Sequence, residues 1–291
     1  MNEAQPTATI TSSDGLALAL WHLGGDGPPL LLGHATGFAG GIWQPVVDRL
    51  SSDAACWAVD FRGHGHSPAD PDDMVWTRVA DDVLATARFL SERHGGPVAA
   101  AGHSMGGGAV LAAGARHPEL FTALWAYEPV IFPPVEAMGL PAGTQLPDPE
   151  SNPLALGARR RRAHFADREA ARANFANKPP LNVFCDAAME AYLTWCFAPT
   201  ADGITLRCRP DVEARTYVEG SRHSFWDEVA TLSRQATVVS GRPEGFSPSH
   251  FAEQVAGHIP GGAFEQHPDL GHFGPQQAPE AIARSIASAL L

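Results

Sequence analysis

No stretch of the 291-residue chain is apolar for long enough to span a bilayer, so no transmembrane helix is expected. The opening residues, MNEAQPTATITSSDG, lack the basic segment and apolar run of a secretory leader, which predicts a cytoplasmic protein. Cysteine is scarce. Cys56, Cys185, Cys196 and Cys208 show no C-x-x-C spacing, which fits reduced structural thiols better than a zinc site or a disulfide framework. Positive charge is in deficit: 20 Lys and Arg against 32 Asp and Glu give a net charge of −12. That balance argues against nucleic acid or an anionic membrane as the main partner. Internal repeats are absent too. What remains is globular, at 44% hydrophobic and 18% charged residues, and long enough to bury a large core.

The most informative stretch is VAAAGHSMGGGAVLAAGARH, residues 98–117. Small apolar residues run into Gly102-His103-Ser104-Met105-Gly106, and an Ala/Gly-rich helical pattern follows at once. A Gly-x-Ser-x-Gly pattern alone has little specificity. Its value comes from the strand–turn–helix context, in which a tight, strained turn exposes the serine hydroxyl above a sheet. Side chains at the flanking positions would meet neighbouring backbone, hence the two glycines.

Around this centre, short apolar runs alternate with helical patterns. Strands are expected at TATIT, LALALWHL, Leu30–Leu32, CWAVD, Leu124–Tyr127, ATVVS and AFEQH. Helices are expected near Ile42–Leu50, Trp76–Arg93, Ser249–Gly257 and Pro279–Leu290. From Val130 to about Ser233 the alternation stops. Proline-rich loops and helical patterns over 154–176 and 186–198 replace it. The simplest architecture is a core over 1–130 and 234–291, with a mostly parallel sheet covered by helices on both faces. A helical cap, 131–233, would be inserted after the sixth strand and fold over the serine.

Four segments in order resemble the α/β-hydrolase superfamily: HATGF after an early strand, DFRGHGHS after the next, GHSMGG, and DLGHFGP near the end. The resemblance covers the two core segments; the insertion carries no recognisable motif. Ala35 stands where the family usually has glycine. The resemblance implies Ser104 as nucleophile and His272 as the base that takes its proton and returns it to the leaving group. The oxyanion would be held by the backbone N–H groups of Met105 and Thr36. The family's third member, an acid, has two candidates. Glu244 lies in Gly-Arg-Pro-Glu after ATVVS, at the family's common offset; Glu128 ends the strand LWAYEP, the position used by a minority that includes lactone hydrolases. Physical chemistry favours Glu128. A carboxylate directly after an apolar strand needs a partner, whereas Glu244 sits in a polar turn that solvates it.

The other histidines and charges have plainer expectations. His103 is read as a packing residue and His34 as a local hydrogen-bonding residue beneath the oxyanion loop. His64 and His66 belong to a loop motif, and Arg159–Arg162 to the solvated face of a helix. Trp195, Phe197, Phe225 and Trp226 fit either a pocket wall or a core. The sequence therefore points to a serine esterase or lactonase acting on a largely apolar small molecule, with no metal or organic cofactor. Ser104 argues against the aspartate-nucleophile chemistries of dehalogenases and epoxide hydrolases. C–C bond hydrolysis and perhydrolysis share the triad and stay open, as do a non-catalytic binding module and a homo-oligomer.

Overall fold

A computed structural model describes residues 5–50, 54–245 and 247–291. Met1 to Ala4, part of the start read for a leader, and Phe246, which ends the Glu244 turn, lie outside the described residues. The first half of the core contains β1 (Ala8–Thr11), β2 (Ala17–Gly24), β3 (Pro29–Gly33), α1 (Gln44–Val47) and β4 (Ala55–Val59). It continues with α2 (Trp76–His94), β5 (Val98–His103), α3 (Met105–Arg116) and β6 (Phe121–Tyr127). Strands β3, β4 and β5 are buried at every residue, as near-continuous apolar runs must be when helices cover both sheet faces. Helix α2 turns Val79, Val83 and Leu90 inward and stops at Gly95, whose φ of 78° suits glycine.

The segment after β6 adds three short strands to the proline-rich loops and helices expected there. It contains α4 (Pro153–Arg159), β7 (His164–Phe165), α5 (Arg168–Phe175), α6 (Asp186–Trp195), β8 (Phe197–Thr200), β9 (Gly203–Leu206), α7 (Pro210–Glu219) and α8 (Phe225–Val229). The helix expected over 154–176 is therefore broken by a strand. Asp167 restarts helical structure by accepting the Ala170 N–H at 2.8 Å. Strands β7, β9 and β8 form a small antiparallel sheet that buries Phe165, Phe197 and Leu206 together.

The chain closes with β10 (Gln235–Ser240), α9 (Ala252–His258), β11 (Ala263–Gln266), α10 (Gly274–Gln277) and α11 (Pro279–Leu290). The main sheet has eight strands in the order β1-β2-β4-β3-β5-β6-β10-β11. Only β1–β2 and β2–β4 pair antiparallel; the rest is parallel. The chain runs from β3 outward to β4 and returns to β5 on the other side of β3, so a crevice opens at the carboxyl ends of β3 and β5. Among the described residues no helix is long and apolar enough to cross a membrane.

Candidate active site

Ser104 follows β5 directly and begins α3, with φ 56° and ψ −114°. Its backbone N–H donates to Tyr127 O at 2.9 Å, which ties the turn to the end of β6. A Cβ on Gly102 would lie 2.3 Å from Gly106 O, and one on Gly106 would lie 2.4 Å from Gly33 O. Both glycines are demanded by backbone contact, as the sequence pattern implied. The left-handed φ is costly for serine and is imposed by these contacts.

The loop after β3 lies against the same turn. Gly106 N–H donates to His34 O at 3.2 Å, and Thr36 Oγ1 meets Met105 Sδ at 3.7 Å, so the two residues expected to supply oxyanion donors touch. Met105 opens α3, where a backbone N–H has no acceptor within its own helix. Alanine is accommodated at position 35 because the positive φ of this loop, 82°, falls on Gly37. His34 donates Nδ1–H to Ala35 O at 2.8 Å and accepts the Phe61 N–H on Nε2 at 3.1 Å. Burial holds its pKa below the ordinary histidine value, which fits this neutral form. The buried Asp60 carboxylate accepts the N–H groups of Gly40 at 2.6 Å and His66 at 2.9 Å, and Trp21 Nε1–H at 2.9 Å. It thereby braces the loop after β3 against the loop after β4.

Glu128, the first residue past β6, is wholly buried and has φ 42°. Its Oε2 accepts Nδ1–H of His272 at 2.7 Å, and its Oε1 accepts the Gly241 N–H at 2.9 Å. Glu244 does not take this place. It is half exposed and pairs with Arg242 across the same turn. The loop carrying His272 follows β11 and rests on β5: the rings of His103 and His272 stand 5.0 Å apart, and His103 Nε2–H donates to His272 O at 2.8 Å. His103 therefore does more than pack, because its imidazole is the donor to the loop backbone. Sequence reasoning missed this because the partner lies 169 residues away.

Aromatic rings gather beside His272. Phe273 contacts His272 at 5.3 Å, Phe184 at 5.5 Å and Phe38 at 6.0 Å, and Phe38 contacts Tyr192 at 5.8 Å. Trp195 lies on Gly41, where any Cβ would enter its ring, and Val212 covers Gly63. The segment between β6 and β10 thus sits on the loops that follow β3 and β4. The aromatics left open by the sequence divide: Phe197 and Phe225 are buried core, Trp195 covers Gly41, and Trp226 stacks on His258 at 4.0 Å. Arg161 departs from the expected solvated stripe. Its Nη1 lies 2.8 Å from the buried Glu213 carboxylate, and this pair faces Gly37. No run of arginines in the sequence shows which member turns inward. Among the described residues no group of three or more His, Cys, Asp or Glu could hold a metal ion.

The model of the alpha/beta hydrolase family matches residues 30–285. The chain belongs to the alpha/beta hydrolase family. Within that family it is 40% identical over 67 residues to pimeloyl-[acyl-carrier protein] methyl ester esterase of Vibrio atlanticus, a match covering 23% of this chain and 26% of the relative. It is 31% identical over 127 residues to 2-(acetamidomethylene)succinate hydrolase of Mesorhizobium japonicum, covering 42% of this chain and 45% of the relative. These matches span less than half of either relative's length. A solved structure of E-2-(acetamidomethylene)succinate hydrolase superposes with a TM-score of 0.80 at 20% identity over 97% of both chains, which shows a common fold. Esterases and another hydrolase are thus among the distant, partly covered relatives of this family member.

Proposed function

We propose that the protein is a serine hydrolase that cleaves a carboxylic ester or lactone through an acyl-enzyme, with Ser104 as nucleophile, His272 as base and Glu128 as orienting acid. The contact of Glu128 Oε2 with His272 Nδ1 at 2.7 Å carries this reading. A carboxylate there fixes the tautomer with the proton on Nδ1 and leaves Nε2 to accept the serine proton. It also stabilises the imidazolium formed during attack. Ser104 Oγ would add to the carbonyl carbon, and the resulting oxyanion would accept hydrogen bonds from the Met105 and Thr36 amides. Collapse would expel the alcohol with the proton from His272, and water activated by the same imidazole would release the acid. In a lactone the alcohol stays attached to the acyl group.

The phenyl rings of Phe38, Phe184 and Phe273 support a largely apolar substrate, and residues 131–233 act as a cap over it. The esterase relatives support an ester as the scissile group. The test is stoichiometric labelling by a fluorophosphonate together with turnover of a graded ester and lactone panel. Ser104→Ala should remove both while leaving the fold intact, and His272→Ala should cost about as much turnover because the pair acts as a unit. Hydrolysis surviving either change at near the parent rate would refute the assignment.

A further inference from the structure

Three consecutive carbonyls of the loop that carries His272 are each held by a donor at, or just past, the end of a different strand. Leu270 O accepts the Arg242 N–H at 2.7 Å. Gly271 O accepts the Tyr127 hydroxyl at 2.8 Å, and His272 O accepts His103 Nε2–H at 2.8 Å. Two of these donors have telling positions. His103 immediately precedes Ser104, and Tyr127 immediately precedes Glu128. They are register partners at the ends of the parallel neighbours β5 and β6, with their rings edge to face at 5.8 Å. Neighbouring strands are spaced about 4.8 Å apart, so register fixes the separation of the two backbones.

We propose that His103 and Tyr127 form a positioning clamp that sets the backbone of the base loop in register with the nucleophile and the acid. The inference rests on the triad reading above and extends it to two residues that act on the base loop through hydrogen bonds to its backbone. Each triad member on the sheet is covalently next to a side chain that grips the loop of the third. A shift of that loop relative to the strands must break one or both side-chain hydrogen bonds. The surroundings leave Tyr127 little freedom: a Cβ on Gly274 would lie 2.2 Å from its hydroxyl oxygen, and one on Gly241 would lie 2.8 Å from it. The bare backbones at 241 and 274 therefore admit the hydroxyl to Gly271 O. Both clamp residues are buried, and burial keeps the His103 imidazole neutral, so it retains the single Nε2 proton that the contact uses. Placement matters because an error of about 1 Å in a catalytic group can cost on the order of a hundredfold in rate.

The test compares Tyr127→Phe, His103→Leu and His103→Gln with Ser285→Ala, which removes the 2.9 Å bond from Trp125 Nε1–H of β6 to Ser285 Oγ of α11 and the 2.7 Å bond from Ser285 Oγ to Glu265, neither of them to the carbonyls of residues 270–272. Turnover of a p-nitrophenyl ester and the rate of fluorophosphonate labelling are measured well below each melting temperature. Tyr127→Phe and His103→Leu should lose roughly tenfold to a hundredfold in kcat with KM little changed, and labelling should slow in parallel. His103→Gln, which restores an N–H donor, should recover most of the loss. Ser285→Ala should melt earlier yet keep its kcat. Unchanged kcat in Tyr127→Phe, or an equal loss in Ser285→Ala, overturns the clamp. Tyr127→Phe removes a single oxygen and carries the test should His103→Leu fail to fold. Absence of turnover and of Ser104 labelling in the parent protein would count against the triad reading instead. The clamp is then judged by amide hydrogen exchange over residues 270–274, which Tyr127→Phe should accelerate about tenfold if an open loop is the exchanging state; unchanged exchange overturns it.

Discussion

Glu128 occupies a position that physical chemistry would ordinarily refuse a glutamate. It has a left-handed φ of 42° and a wholly buried carboxylate at the end of an apolar strand. Ser104, its neighbour across the β5–β6 pair, is similarly strained at φ 56°. Strain of this kind persists only where the surroundings over-determine it. At Glu128 they do so through three hydrogen bonds: its N–H to Val239 O at 2.7 Å, and its carboxylate oxygens to Gly241 and His272. Glu128→Gln keeps the shape but removes the charge that steadies an imidazolium. Turnover should fall by about a thousandfold or more, by analogy with the loss of an orienting acid in serine proteases. Glu244→Gln should stay near the parent rate, since Glu244 is half exposed and pairs with the exposed Arg242. Steady-state kinetics on proteins of matched thermal stability decides between them. Glu128 was legible in the sequence because an acid wedged between an apolar strand and Pro129 needs a partner. Its partner, His272, was legible only through the family resemblance, because the contact spans 144 residues.

The loop after β4 shows how an element is held in place by charge. Arg62 is fully buried; its Nε and Nη2 grip Asp82 of α2 at 2.9 and 2.6 Å, and its Nη1 reaches Asp14 at 2.8 Å. Ser12 adds its hydroxyl to Asp82 at 2.6 Å. Burial pushes the Asp82 carboxyl above the ordinary range, and Arg62 opposes that shift. Removing the cation leaves a buried carboxylate without its partner, which typically costs about 3–5 kcal/mol. Arg62→Met should lower unfolding free energy by that order in urea titrations, whereas Arg62→Met with Asp82→Leu should recover much of the loss. If the double variant is no more stable than Arg62→Met, the ion pair is not the element's anchor. The Arg-Gly spacing announced this loop in the sequence. Its acidic partners come from a turn and a helix whose approach only folding determines.

Across the molecule, His34, His64 and His103 are buried and His223 is partly buried, each as the neutral imidazole. Burial lowers the pKa of His34 and His103, and it pushes His64 down to about 3 and His223 to about 4, against an ordinary value of 6.5. Below pH 6.5 the unfolded chain takes up protons at these sites that the native state does not, so stability must fall as pH falls. The stabilisation is fully present above about pH 6.5 and is lost progressively down to the native pKa values. Well below pH 6.5 each such histidine contributes about 1.4 kcal/mol per pH unit to the slope. Melting temperatures measured from pH 7.5 to 5 should therefore drop steadily at the acidic end, and His223→Phe should flatten that dependence. A melting temperature that is flat over this range would contradict the neutral burial of these rings.

Strand–helix alternation in the two core segments, the order of the four motifs and the glycine pair around Ser104 can all be read from the residues alone. These are local matters of apolar periodicity, turn chemistry and backbone clearance, and a short window of residues contains all the forces that decide them. The family resemblance narrowed the acid to two glutamates, and side-chain solvation, which follows largely from immediate neighbours, favoured Glu128 over Glu244. Only the tertiary structure brought Glu128 rather than Glu244 onto His272, and set His103 and Tyr127 against the loop that carries it. It also split the helix expected over 154–176 and turned Arg161 inward to Glu213. Each of these depends on strand register or on contacts between distant segments. Such hydrogen bonds contribute on the order of 1 kcal/mol apiece and form only once the distant segments that carry the partners have come together.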